Sequence, residues 1–235
     1  MSFLQTTFKT GYITDLILPP VPTGKTSSDV FLAGHALALS MARSPETMSR
    51  LNPFVYSVQT MSAADPHAVD ARAIAARFDV NVDNDKLDNT PSSATADTES
   101  DSESQFVHYE IKDKLPVALG YSADLTYHSA IRRTKEGIEA LTDPGSGVLL
   151  HGRWMVKGVA LDGDANKERT NRDDGTGDAS ASAGVLTLLE TNTISCSVLV
   201  AWYIRASMDK SHRTAHQRFK ELWTQRMNEL GYPPA

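Results

Sequence analysis

Alternation of apolar and polar positions dominates the second half of the chain. Five segments alternate with a period of two residues, the spacing that turns successive side chains of a β-strand to opposite faces. These segments are 105–115, 123–133, 137–142, 148–159 and 185–195. The third and fourth are joined by Asp143-Pro144-Gly145-Ser146-Gly147, which is strong turn chemistry. The pattern predicts a run of antiparallel strands.

The first half of the chain predicts strands and short helices. The predicted elements are a strand over 3–17, helices over 31–42 and 44–50, a strand over 54–61 and a short amphipathic helix over 68–78. Pro19 ends the first strand because proline cannot donate a ladder hydrogen bond. The 31–42 helix is apolar on most sides, which indicates that it packs into the core.

A long helix is predicted over residues 197–230. No proline or glycine interrupts it, and Gly231 and Pro233 end it. Its apolar residues form one stripe that requires a flat apolar partner. We therefore predict an α+β fold of the helix-grip type, in which a curved antiparallel sheet wraps around the C-terminal helix and two short helices close a cavity.

The 235-residue chain has the composition of a soluble protein, with 40% apolar and 22% charged residues. We predict one domain over 1–235, with an acidic low-complexity insertion at 62–104 and a polar loop insertion at 160–184. Residues 83–104 hold seven acidic residues and one lysine, which equals the net charge of −6 of the whole chain. The remainder is neutral overall, so we expect no nucleic-acid partner.

The sequence also limits the location of the protein. No apolar run reaches the length of a membrane-spanning helix, and the start lacks a basic segment followed by an apolar block. We expect a cytoplasmic protein with no integral membrane segment and an unknown oligomeric state. The single cysteine, Cys196, excludes an internal disulfide. It is either a packed core residue or a thiol activated at the start of the long helix.

Three motifs resemble cofactor or metal sites and fail on inspection. Residues 22–28 resemble a phosphate loop, but Pro19 stands where the motif needs glycine. Residues 162–173 resemble a calcium loop, but the glycine and the bidentate glutamate are missing. Asp209, His212 and His216 share one helix face, yet neighbouring cations oppose metal binding. We predict neither a metal nor a cofactor.

A cavity between sheet and helix would be lined by the more apolar face of each strand. Polar residues on that face are candidates for chemistry, and a carboxyl buried against aromatic rings is expected to have a raised pKa. The candidate catalytic residues are Glu190, Tyr109 and Tyr127. The candidate ligand-binding residues are Trp154, Asn192, Leu125, Leu150, Leu188, Met208 and His212. Alternatively, these polar groups satisfy one another or face solvent.

Four segments resemble a fungal family of uncharacterised proteins that is similar to the Bet v 1/START-like (SRPBCC) superfamily. They are RLNPFV (50–55), HYEIKDKLP (108–116), GRWMVKG (152–158) and the exit LLETNTISCSVLVAWYIRASMDKSHRTAHQRF (188–219). The resemblance implies a hydrophobic cavity for lipids, polyketides, terpenoids or hormones. It also implies either a carrier or a cyclase or isomerase of natural-product pathways, including pericyclases such as Diels–Alderases.

Two functions are therefore expected from the sequence. In the first, the protein binds an apolar polyketide- or terpenoid-like molecule and promotes its cyclisation or isomerisation without a cofactor, in fungal secondary metabolism. In the second, it is a non-catalytic carrier of a lipid or metabolite. A polar pair that faces the ligand favours the enzyme, and a uniformly apolar wall favours the carrier. A weaker third option is an interaction protein that works through its acidic loop.

Overall fold

The structure, a computed structural model, describes residues 4–81, 105–116, 122–160 and 184–234. The strands are β1 (Gln5–Ile17), β2 (Val55–Met61), β3 (Val107–Pro116), β4 (Ser122–Arg133), β5 (Gly137–Gly145), β6 (Val148–Ala160) and β7 (Gly184–Ser197). The helices are α1 (Ser27–Ala42), α2 (Pro45–Arg50), α3 (Ala71–Arg77) and α4 (Ala201–Glu229). Within these ranges, none of the helices combines the length and the apolar character that crossing a bilayer demands. Most of both predicted insertions and the calcium-like loop lie outside the described residues.

The seven strands form one sheet in the order β1-β7-β6-β5-β4-β3-β2, and all neighbours are antiparallel. The first strand pairs with the last from Gln5 opposite Ser197 to Ile17 opposite Val185. Every other pair joins strands that follow one another along the chain. The predicted α+β class, with a curved antiparallel sheet and a long C-terminal helix, is confirmed and is compatible with a helix-grip arrangement.

Capping explains why α1 begins at Ser27, ahead of its apolar run from Phe31, and the sequence indicates such a cap at Thr26, Ser27 or Ser28 with Asp29 in the first turn. Thr26 Oγ1 accepts a hydrogen bond from the Asp29 backbone N–H at 3.1 Å. In return, Asp29 Oδ2 accepts one from the Thr26 backbone N–H at 2.8 Å. This reciprocal pair satisfies two of the donors that a helix start leaves free, so the helix extends back to Ser27.

The long helix starts later than predicted because β7 continues to Ser197 and a turn over 198–200 follows. Cys196 is therefore a buried strand residue and not part of a helix start. Burial raises the pKa of its thiol, and the positive charge of Arg205 opposes that shift only in part. The hypothesis that a helix N-terminus activates Cys196 is wrong.

Helices α1 and α4 pack together on one face of the sheet. Leu186 and Leu188 of β7 are fully buried there, as are Phe219 and Trp223 of α4. The indole N–H of Trp223 donates a hydrogen bond to the carbonyl oxygen of Gly34 in α1 at 3.1 Å. A Cβ at Gly34 would lie only 2.4 Å from Leu18 Cδ2, so glycine permits this close approach.

The opposite face of the sheet is covered in part by α3. Ile74 and Ala75 pack against Phe106, Ala130 and Leu141 in a second apolar cluster. The helix was predicted from its amphipathic pattern, and its apolar side is the one that meets the sheet. With this face occupied, the pocket described below lies on the side that α1, α2 and α4 share.

We expect Trp223→Phe to lower the free energy of unfolding by about 2 kcal/mol, because it removes a buried hydrogen bond and leaves a gap. Urea unfolding followed by circular dichroism measures the change. Trp202→Phe is the matched control, since Trp202 is 71% exposed and should change stability by less than about 0.5 kcal/mol. Equal effects of the two substitutions would contradict the role of the contact with Gly34.

Candidate functional site

A pocket of about 190 Å³ lies between strands β3–β7, the end of α2 and the middle of α4. Its wall combines aliphatic side chains with a smaller number of polar ones. Its lining residues include Met48, Asn52, Ile111, Tyr127, Ser129, Ile131, Ile138, Ala140, Thr142, Leu150, Gly152, Trp154, Glu190, Asn192, His212 and Ala215. A Cβ at Gly152 would lie 2.8 Å from Asn192 Oδ1, so glycine keeps this part of the wall open.

One end of the pocket is built around Glu190, whose carboxylate is buried against α4. Oε1 lies 2.5 Å from His212 Nδ1, and Oε2 lies 3.3 Å from His216 Nε2. The side-chain amide of Asn192 donates a hydrogen bond to Oε1 at 2.9 Å. Both imidazoles lie within ion-pair distance of the carboxylate, each contact is an ion pair only when its imidazole is protonated, and neither is aligned as a hydrogen bond. We call these four residues the Glu190 cluster.

The pKa of Glu190 is lowered, which corrects the expectation of a raised value. Burial alone would raise the pKa of this carboxyl. The contacts with His212 and His216 and the hydrogen bond from Asn192 outweigh burial, so the net direction is downward. Glu190 is therefore an ionised group at neutral pH and supplies a fixed negative charge beside both imidazoles.

Aromatic rings on both sides hold the two imidazoles in place. The ring of Trp154 stacks on His216 with centroids 4.8 Å apart and a tilt of 29°. Tyr12 of β1 stacks on His212 at 5.4 Å with an interplanar angle of 7°. Thr14 Oγ1 is hydrogen-bonded to His216 Nδ1 at 2.8 Å. The orientation of the rings thus depends on β1, β6 and β7 together.

The other end of the pocket carries Tyr127 and Asn52, which meet at Asp113. Asn52 Nδ2 donates a hydrogen bond to Asp113 Oδ2 at 3.3 Å, and the Tyr127 hydroxyl is also bonded to this carboxyl. Burial raises the pKa of Asp113 to about 6, although both hydrogen bonds oppose the shift. Burial likewise raises the pKa of the Tyr127 phenol. We call these three residues the Asp113 cluster.

Six of the sequence-predicted residues line the pocket, and the structure brings them together at its two ends and along its floor. They are the candidate catalytic residues Glu190 and Tyr127 and the candidate ligand-binding residues Trp154, Asn192, Leu150 and His212.

The other four predicted residues do not line the pocket. Tyr109 is half-buried against the main core, and burial raises the pKa of its phenol. Leu188 is fully buried in that core. Met208 belongs to a separate apolar cluster with Phe8 and Ile194, and Leu125 is half-buried on β4.

Sequence reasoning missed Asp113, Asn52, Tyr12 and Thr14. Asp113 had a usable signal, because it shares the inward parity of Ile111 on the predicted strand. Among the described residues, no group of three His, Cys, Asp or Glu side chains is arranged to hold a metal ion.

The chain matches the model of a family described as a domain of unknown function (DUF7053) over residues 32–225. The chain belongs to the DUF7053 family. The region matched by DUF7053 contains both clusters, whereas β1, which carries Tyr12 and Thr14, precedes it. The search of curated proteins found no match to this DUF7053 protein.

We expect Glu190→Gln to lower the free energy of unfolding by about 3 kcal/mol at pH about 7, because the buried carboxylate that both imidazoles contact is removed. Since the pKa of Glu190 is lowered from its ordinary value of 4.5, the stability it contributes is present above that value. That stability is lost as the pH falls below 4.5 and through the lowered pKa of the folded state. The difference in free energy of unfolding between wild type and variant should therefore be smaller at pH about 3 than at pH about 7. Urea unfolding at both pH values measures it.

The matched control is Glu46→Gln, which breaks an exposed pair with Arg50 on α2. An exposed pair of this kind contributes less than about 1 kcal/mol, so the control should change little at either pH. A Glu190→Gln deficit of the same size at both pH values would contradict the lowered pKa.

We expect the effect of Asp113→Asn on stability to depend on pH in the opposite sense to that of Glu190→Gln. Because the pKa of Asp113 is about 6 in the folded state against an ordinary 3.8, wild-type stability falls as pH rises through this range. Between pH about 4 and pH about 7, the free energy of unfolding of the variant should rise by about 1 kcal/mol relative to that of the wild type, after allowance for solvent screening. Urea unfolding midpoints measure the gain, with exposed Asp15→Asn as control. A constant offset between wild type and variant would contradict the assignment.

Proposed function

We propose that the protein binds a small, mostly apolar molecule in the pocket and promotes its isomerisation or cyclisation by proton transfer. The observation that carries the proposal is that His212 both lines the pocket and contacts the buried carboxylate of Glu190. A carboxylate beside an imidazole orients the ring and balances its charge when it takes up a proton. No cofactor is required for this step, because the chain itself supplies the acid and the base.

The size of the pocket limits the part of a ligand that it can hold. Drug-sized ligands occupy pockets of about 300–1,000 Å³, whereas a cavity of about 150 Å³ binds benzene. A pocket of about 190 Å³ therefore suits a single ring with one or two substituents. A polyketide or terpenoid would place one ring inside and leave the rest of its length outside.

The chemical character of the wall favours a ligand that carries oxygen. Ile131, Ile138 and Leu150 form an apolar floor, while Tyr127 offers a hydroxyl at one end. Asp113 accepts the hydrogen bond of Tyr127 in the free protein, and this contact positions the phenol. We infer that Tyr127 turns its donor to a carbonyl or hydroxyl oxygen of the ligand, while the hydrocarbon body lies on the floor.

The isomerisation of a β,γ-unsaturated ketone illustrates the proposed step. His212 removes a proton from the carbon between the carbonyl and the double bond, and the electron pair shifts toward the carbonyl oxygen. Tyr127 stabilises the negative charge that develops on that oxygen through its hydrogen bond. The imidazolium then returns the proton to the γ-carbon. The product is the conjugated ketone, with all atoms conserved.

The resemblance to the SRPBCC superfamily supports this proposal, since it implies a ligand cavity used by both carriers and cyclases. Within that range, the Glu190 cluster favours proton transfer over a cycloaddition of the Diels–Alder type. A cycloaddition needs shape and one hydrogen bond to the substrate, which Tyr127 alone could supply. It does not require the buried carboxylate and paired imidazoles that the wall contains.

The test uses cyclohex-3-enone, a ring that fits the pocket and becomes a conjugated enone with a strong ultraviolet absorption. We expect the wild type to accelerate the conversion. His212→Gln should lower kcat about a hundredfold by removing the base, and Tyr127→Phe should lower it at least tenfold. His67→Gln is the control, because His67 is exposed and lies outside the pocket. Ala140→Leu should abolish binding by filling the pocket.

The outcomes separate the candidate functions. The absence of any acceleration, or an equal loss with His67→Gln, would contradict proton transfer. Binding of the ketone by ligand-detected NMR without turnover would support the non-catalytic carrier instead. A loss with Tyr127→Phe but not with His212→Gln would support catalysis by hydrogen bonding alone, as in a cycloaddition.

A further inference from the structure

Large apolar side chains are exposed at the start of α4, away from the pocket. Leu199 and Trp202 are each 71% exposed, and Tyr203 is 57% exposed. Val198 and Val200 are exposed beside them. We call residues 198–203 the apolar tip. Single exposed apolar residues are common on protein surfaces, but a contiguous group of them usually marks a contact surface.

Leu4, which directly precedes β1, extends this surface. The backbone N–H of Val198 donates a hydrogen bond to the carbonyl oxygen of Leu4 at 2.8 Å. The side chain of Leu4 is 58% exposed, so it adds a further apolar group beside the tip. The contact shows that the apolar tip is held against the end of the sheet and is not an isolated turn.

A basic groove begins within one helical turn of the apolar tip. It runs between β1 and α4 and contains Lys9, Arg205 and Arg213 together with one carboxylate, Asp209. Asp209 already pairs with Arg213 at 3.0 Å. Arg205 lies over the ring of Phe8 at 4.3 Å from its centroid.

The groove keeps two cations available for a partner. Within the part of the chain that the structure describes, neither Lys9 nor Arg205 has a carboxylate within ion-pair distance. Trp202 and Arg205 are three residues apart, and Arg205 and Asp209 are four apart, so they share one face of α4. Trp202 of the apolar tip and Arg205 of the basic groove therefore lie on the same side of the helix.

We propose that the apolar tip and the basic groove dock the protein on an anionic phospholipid surface. Tryptophan and tyrosine favour the boundary between lipid headgroups and hydrocarbon, because each has an apolar body and a polar tip. Lysine and arginine next to inserted apolar residues add attraction to anionic headgroups. Along the chain, the apolar tip comes first and Arg205 follows within one helical turn, so the tip can insert while the cation stays at the level of the headgroups.

A protein partner fits these observations less well. A stable protein interface uses about 20–30 residues on each side. The apolar tip is a run of six residues at the end of a helix, and its extension is a basic groove and not a further apolar surface. A second copy of the chain would bring an identical basic groove, which opposes association through this region.

The test measures cosedimentation with vesicles of phosphatidylcholine alone and of phosphatidylcholine mixed with phosphatidylserine. We expect the wild type to bind the mixed vesicles at least tenfold more tightly, with binding that weakens as salt is added. The double variant Leu199→Ser/Trp202→Ser should lose at least tenfold in binding. The double variant Lys9→Gln/Arg205→Gln should lose the preference for phosphatidylserine.

Fluorescence gives a second readout that depends on Trp202. Of the three tryptophans, Trp202 is highly exposed, whereas Trp154 and Trp223 are packed in the fold. A blue shift on addition of mixed vesicles should therefore occur in the wild type and disappear in Trp202→Phe. The matched control for sedimentation is Leu32→Ser, because Leu32 is 62% exposed on α1 and outside the apolar tip.

Three results would overturn the proposal. The first is that the wild type fails to bind the mixed vesicles. The second is that the Leu199→Ser/Trp202→Ser variant binds them as tightly as the wild type. The third is that Leu32→Ser loses as much vesicle binding as that variant does. A concentration-dependent dimer that the tip variant abolishes, without vesicle binding, would assign the apolar tip to a second copy of the chain. None of these measurements depends on the pocket or on its ligand.

Discussion

The buried negative charge of Glu190 constrains the position of α4 on the sheet. A carboxylate on the covered face of β7 is costly unless polar or cationic groups approach it, and here two imidazoles and the amide of Asn192 do so. His212 and His216 are one helical turn apart, so their joint contact fixes the rotation of α4 about its own axis. Thr14 binds the second imidazole from β1 and thereby ties the helix to the edge strand. With the helix held toward β1 and β7, the surface of β3–β6 is left open as the pocket wall.

Two buried carboxyls at opposite ends of this pocket titrate in opposite directions, and their neighbours explain the difference. Burial disfavours the charged form of both Glu190 and Asp113. Glu190 has imidazoles that can carry positive charge, so its ionised form prevails. Asp113 has only neutral donors, the phenol of Tyr127 and the amide of Asn52, which offset burial in part. One end of the pocket thus holds a permanent charge, while the other holds a proton that it can release near neutral pH.

Local patterns were enough to predict most of the fold, because alternation and helical periodicity are read within one element. The five alternating segments are strands, and inward parity correctly placed Tyr127, Trp154 and Glu190 on the pocket side. The partners of Glu190 could not be predicted in this way. His212 and His216 were visible as a pair on one helix face, but their meeting with β7 depends on how α4 docks. The sign of the pKa shift of Glu190 was wrong for the same reason, since burial was foreseeable and the imidazoles beside it were not.

Helix α4 divides into three parts that differ in burial, and this division separates the tasks that the helix can perform. Its first two turns are mostly exposed and carry Trp202 and Tyr203 of the apolar tip. Its middle carries the two imidazoles, and its last turns carry the buried Phe219, Trp223 and Met227. The packing energy of the helix is therefore concentrated at its C-terminal end. Contacts that the first turns make with a surface do not compete with that packing. The proposed proton transfer at the middle of the helix and the proposed membrane contact at its exposed end therefore use different parts of one rigid element.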